Sequence, residues 1–108
     1  AACAGGRLDR VSCATSPRPS RMTAQRELLE ETGYVGNIQY IGKSFVDAYS
    51  TAIRHVFIAR GCQKMSEQNL DASEFIEVKL IQLETFRQIC LSGQITHGES
   101  AFIALANI

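Results

Sequence analysis

Between Arg26 and Tyr34 the chain reads Arg-Glu-Leu-Leu-Glu-Glu-Thr-Gly-Tyr, and here residue types and spacing could do chemistry. On a helix, Glu27 and Glu31 share a face four residues apart, with Glu30 beside them at the three-residue spacing. Three carboxylates on about one turn repel one another, and the macrodipole disfavours anions near a helix C-terminus. A divalent cation between them relieves both penalties. Carboxylate oxygens suit magnesium, which keeps several waters and shares its shell with substrate phosphates. Arg26, four residues before Glu30, is placed to pair with it and hold the carboxylates in position. The competing reading of the same charges is a solvated helix face whose acids point into water.

Other reactive side chains are scattered. Cys3, Cys13, Cys62 and Cys90 form no Cys-x-x-Cys pair, which argues against zinc. A chain with this much apolar material needs no covalent staples, so reduced, unpaired thiols are expected. His55 and His97 stand far apart, and neither adjoins a Ser or Cys motif for nucleophilic catalysis. His55 lies inside an apolar run and reads as an ordinary packed imidazole.

The acidic segment needs a helix to carry it, and the periodicity predicts one from about Ser20 to Thr32. Ser20 is its N-cap, Leu28 and Leu29 mark its apolar face, and Gly33 stands at the left-handed C′ position. Strands are predicted at Ile38–Ile41, Ser44–Asp47 and Ile53–Ala59, with Asp47–Thr51 as a turn. Residues 61–74 read as a polar loop. Phe75–Ile81 alternates, with Ile76, Val78 and Leu80 on one face and Glu77 and Lys79 on the other, as a strand with one wet side would. Leu83, Phe86 and Ile89 repeat at helical spacing up to Gly93, and Thr96-x-x-Glu99 is a capping box ahead of a last helix. The expected fold class is α/β with a mixed or antiparallel sheet.

The chain has 108 residues, 11 Lys plus Arg, 11 Asp plus Glu and 45% apolar residues. That length builds one domain burying roughly 65% of its unfolded surface. Zero net charge argues against nucleic-acid binding by bulk electrostatics. The longest apolar run, Ala101 to Ala106, is far short of the roughly 20 residues that cross a bilayer. No charged-then-apolar leader opens the sequence, so a soluble, cytoplasmic domain is the expectation. The neutral total hides an uneven start. Residues 1–25 carry Arg7, Arg10, Arg18 and Arg21 against Asp9 alone, a local charge of +3 that leaves −3 for the remainder. Only Leu8, Val11 and Met22 are bulky apolar there, and Pro17 and Pro19 add loop character. Residues 1–22 are therefore read as irregular, and 23–108 as the domain.

The segment from Arg26 to Tyr34 resembles the core of the Nudix box. Arg26, Glu27, Glu30, Glu31 and Gly33 match its fixed identities, and Leu28 and Tyr34 fill its apolar places. The resemblance implies a Nudix-like α/β/α sandwich with a mixed sheet, and a loop-helix-loop that binds Mg2+ or Mn2+ at a substrate pyrophosphate. It makes Glu27, Glu30 and Glu31 the metal ligands, gives Glu30 and Glu31 catalytic parts, and lets Arg26 orient them. Metal ions would neutralise the charge of the pyrophosphate and yield a nucleophilic water. Ala4–Arg10 looks like the loop opening the first half of the box, but Ser12 stands where the family has glutamate, and 13 residues separate it from Arg26 where the family has seven. Gly-Glu codons read one base later give Val followed by Ser or Arg, so residues 11 to about 22 read as an out-of-frame or mis-spliced stretch. A natural insertion is the other reading.

Arg54–Ala59, Asn69–Val78 and Ser92–Thr96 resemble ADP-ribose pyrophosphatase-type members, a likeness covering about residues 24–104. That subfamily has a catalytic glutamate in the loop before the Phe-Ile-Glu-Val strand. Ala72 aligns with it, which leaves Glu74 or Asp71 as the base, unless both are simply acids of an exposed loop. The family's upstream strands, which complete the sheet and form part of a dimer, have no counterpart before Ala4. The implied activity is metal-dependent hydrolysis of a nucleoside diphosphate linked to another moiety, ADP-ribose above all, by a possible homodimer. The alternative is a catalytically weak Nudix-like fragment that only binds metal or nucleotide.

Overall fold

In the computed structural model, which describes residues 2–4, 7–96 and 98–108 with side chains from residue 9 onward, the Ser20 hydroxyl accepts from the Thr23 backbone N–H at 3.1 Å. This cap opens α1, Arg21–Thr32. Gly33 closes the helix at φ 79°, and its N–H donates to the Leu29 carbonyl at 2.8 Å. Both ends fall where the sequence places them, because a hydroxyl before a helix and a glycine after it satisfy backbone groups that the helix itself leaves unpaired.

Directly after Gly33 the chain enters β3, Tyr34–Phe45, which pairs antiparallel with β4, Ile53–Lys64. The two predicted strands at 38–41 and 44–47 are one long strand, because a register shift between Tyr40 and Gly42 absorbs the break in pattern. Asp47 Oδ1 accepts from the Tyr49 N–H at 2.8 Å within the connecting turn. On its other side β4 pairs antiparallel with β2, Arg7–Thr15. A short β1, Ala2–Ala4, is antiparallel to β2 and parallel to β5, Ile81–Gln82, so the sheet order is β3-β4-β2-β1-β5. Helices α2, Leu83–Ser92, and α3, Gly98–Ala106, complete a mixed α/β domain.

Strand alternation divides the core. Phe57, Ala59 and Ile38 gather with Leu28 of α1 and Cys62, flanked by Ala24, Tyr34 and Tyr40. Val56 and Ile58 point the other way and are 0% exposed, as is Ala104 of α3, and each large aliphatic so buried contributes about 1.5–3 kcal/mol. Ile103 of α3 reaches Gly42, where an added Cβ would stand 3.3 Å from Ile103 Cγ2. No helix among the described residues is long and apolar enough to cross a membrane.

Three expectations are corrected. The segment read as irregular holds β2, a central strand, because pairing with β4 from Arg10–Ala59 to Thr15–Arg54 supplies backbone partners that its polar composition does not advertise. Residues 75–80 form no strand, although they alternate, because a strand needs a neighbouring strand to pair with its backbone and among the described residues they have none. The capping box is not the role of Glu99, whose carboxylate pairs with Arg54 across to β4. His97, inside that box, lies outside the described residues.

Candidate functional site

The acidic end of α1 is tied down by the chain that follows β4. Asn69 N–H donates to the Glu30 carbonyl at 2.7 Å, and the Gln68 side-chain amide donates to the Glu31 carbonyl at 2.7 Å. The N–H groups of Met65 and Ser66 both donate to the Gly33 carbonyl. Carbonyls that a helix end leaves unpaired are thus satisfied by residues 65–69. The same Gln68 amide also donates to the Ile76 carbonyl at 2.8 Å, which folds the loop back beneath the helix.

This anchoring brings Glu74 near the helix carboxylates. Glu31 is held above the usual carboxylate value by burial, opposed by the positive charge of Arg10 and reinforced by Glu27, Glu74 and Glu30. Glu27, Glu30 and Glu31 are all half-buried rather than pointing freely into water. The carboxylates named from the box therefore act on one another through their charge, with that of Glu74 added from the loop. Arg26 is solvent-exposed, and among the described residues it makes no ion pair within 4.0 Å. The expected Arg26–Glu30 pair is not formed, because an exposed i,i+4 pair is worth only about 0.3–0.5 kcal/mol.

Arg10 is the basic residue whose charge acts on Glu31, and sequence reasoning passed over it. It sits on β2, in the stretch read as irregular, and only the charge excess of that stretch hinted at it. Its Nε is buried and has no hydrogen-bond partner among the described residues. Ser12, two residues on, is half-buried on β2 opposite Phe57. In the loop, Ala72 and Asp71 are exposed, and Glu74 turns its Oε1 onto the Asp71 N–H at 3.1 Å.

Two clefts share Glu77, and neither is lined by Glu27, Glu30, Glu31 or Glu74. One, of about 480 Å3, is lined by Thr32, Tyr34, Lys64, Gln68 and Phe75 among others. The second, of about 290 Å3, is lined by Arg10, Lys79, Phe86 and Ile89 among others. Aromatic and basic groups beside carboxylates suit a ligand with a flat apolar part and a phosphate.

Among the described residues no three His, Cys, Asp or Glu side chains are placed to hold a metal ion together. The donor set is all oxygen and carries excess negative charge around Glu31. That chemistry fits a hard cation held through one or two carboxylates and its own waters rather than an all-protein cage. Cys62 and Cys90 are free thiols.

His55 is packed, as expected, but not isolated from serine. Ser16, 39 residues away in sequence, puts its Oγ 3.2 Å from His55 Nε2, while the Tyr40 hydroxyl lies 2.9 Å from Nδ1. The sheet pairing makes this neighbourhood, and no local motif encodes it. Comparison with protein-family models, curated proteins and solved structures finds no match to this chain.

Proposed function

We propose that this chain is a Nudix-type hydrolase that cleaves the pyrophosphate of a nucleoside diphosphate linked to another moiety, with ADP-ribose giving AMP and ribose 5-phosphate as the leading case. The observation that carries the reading is that Glu27, Glu30 and Glu31, all half-buried, lie on one helix whose residues match the box from Arg26 to Tyr34, with the charge of Glu74 acting on Glu31 from the loop. In this reading Glu27, Glu30 and Glu31 are the carboxylates that would hold Mg2+ or Mn2+, one or two of them directly and the rest through its waters, and the fold is a Nudix-like α/β/α arrangement. When bound, the cation supplies neutralisation of the pyrophosphate charge. Glu74 and Asp71 stand as the groups able to take a proton from water, Arg10 offsets the charge of Glu31 from the sheet side, and the cleft beside Tyr34 and Lys64 receives the substrate.

A binding-only domain is the second reading, favoured by the engagement of Glu74 with the Asp71 N–H and by Ala72 in the adjoining position. ADP-ribose hydrolysis with magnesium separates the two. Turnover by the parent chain that disappears in Glu27→Gln/Glu31→Gln supports the hydrolase. Turnover that survives both changes overturns the role given to these carboxylates. Absence of turnover, with magnesium-dependent stabilisation lost in the double variant, selects the binding domain.

A further inference from the structure

At the opposite end of α1 from the acidic residues, three side chains from three strands or strand ends form a relay. Ser16 follows β2 and is exposed, whereas His55 of β4 is buried. The Ser16 backbone N–H donates to the Ile53 carbonyl at 2.9 Å, which fixes the serine beside β4. Ala14 is the β2 residue opposite His55, and its small side chain leaves the imidazole open to Ser16. Ser16 Oγ lies 3.2 Å from Nε2, and the Tyr40 hydroxyl lies 2.9 Å from Nδ1. A nucleophile within reach of a base, itself oriented by a third group, is the general arrangement of covalent catalysis.

From this geometry we infer that Ser16 is an activated nucleophile that takes acyl groups from small carboxylic esters with good leaving groups. The working tautomer has the Nδ1–H of His55 donating to the Tyr40 oxygen, so that Nε2 accepts from the Ser16 hydroxyl. Ser16 Oγ attacks the ester carbonyl and its proton passes to Nε2. The ester C–O bond then breaks and the departing alcohol takes that proton. Water hydrolyses the acyl-serine, giving up its proton through His55 to restore the Ser16 hydroxyl. Tyr40 is the positioning residue. The Arg18 guanidinium rests 3.6 Å over the Tyr40 ring, two residues along from Ser16, and supplies positive charge for the developing oxyanion. Lys43, opposite His55 on β3, is the other cation next to the imidazole in the sheet. The site is an open surface, so it selects by reactivity rather than by shape.

The test treats the full chain with a fluorophosphonate probe and locates the adduct by tandem mass spectrometry. The serine oxygen displaces fluoride from phosphorus and its proton goes to His55, so the label reports the same activation. The expected results are labelling at Ser16, none in Ser16→Ala, a loss of about tenfold or more in His55→Gln and a smaller loss in Tyr40→Phe. Slow hydrolysis of p-nitrophenyl acetate should fall in parallel. Labelling of Ser16 no faster than of the exposed Ser92, or at a rate unaffected by His55→Gln, overturns the inference. If His55→Gln does not fold, labelling of Ser16 in Tyr40→Phe at the rate of the parent chain overturns it equally.

Discussion

Gly33 lies directly under the Ser66 carbonyl: a Cβ at position 33 would stand 2.0 Å from that oxygen. The left-handed turn that ends α1 and the docking of residues 65–69 thus meet at a single atom-free space. Met65 and Ser66 bond to the Gly33 carbonyl in the same place, at 2.8 and 3.1 Å.

Gly33→Ala is therefore expected to cost more than the roughly 1–2 kcal/mol of a left-handed non-glycine residue, because the loop must also move. Urea unfolding should show the loss. A midpoint equal to that of the parent chain would contradict the close approach.

Glu31→Gln should stabilise the chain at neutral pH and leave it unchanged in acid. The folded state raises the Glu31 pKa from 4.5, chiefly by burial, with Glu27, Glu74 and Glu30 adding and Arg10 opposing. A raised folded-state value means that the unfolded chain gives up its proton first as pH rises, so the ionised group disfavours the fold above that range. Below the ordinary value both states are protonated and the penalty is gone. Melting curves at about pH 3.5 and about pH 7.5 read the difference. Equal melting temperatures for parent and variant at both would sink the account.

Arg54 and Glu99 join β4 to α3, with the arginine side chain 11% exposed and the glutamate 40%. Removing the carboxylate in Glu99→Gln leaves a largely buried guanidinium without its counter-ion, a loss of about 1–3 kcal/mol. The exposed Lys64–Glu67 pair should contribute at most about 1 kcal/mol and weaken further in salt. Glu99→Gln and Glu67→Gln compared by urea unfolding test the contrast, and equal effects would contradict it.

Cys62 is 7% exposed, and burial, then the negative charge of Asp9, push its thiol above the usual range. Alkylation by iodoacetamide at neutral pH should be slow in the folded chain and should become rapid on unfolding. Asp9→Asn should speed it modestly if the fold is kept. Immediate modification of Cys62 in the folded chain would refute the burial.

How much of this was legible in the sequence depends on whether the signal was local. Ser20 and Gly33 bound α1 because a cap and a left-handed glycine act within a few residues of where they stand. The gathering of Glu27, Glu30 and Glu31 follows from helical spacing alone. The opposite holds for β2 and for residues 75–80. The first has little apolar character yet pairs in the sheet centre, and the second alternates yet finds no partner. A strand is completed by hydrogen bonds to another strand, so a short segment cannot announce it alone.

By itself, then, the sequence determined the acidic helix, its two ends and the helices after Gln82, which rest on contacts between near neighbours in the chain, and it marked the long apolar strands by their composition. Only the tertiary structure decided that the charges of Arg10 and Glu74 act on Glu31, that Arg54 holds Glu99 and that Ser16 meets His55 across 39 residues. Each of those meetings is made by strand register or loop docking, where position is set by backbone partners far away in sequence and not by the residues that meet.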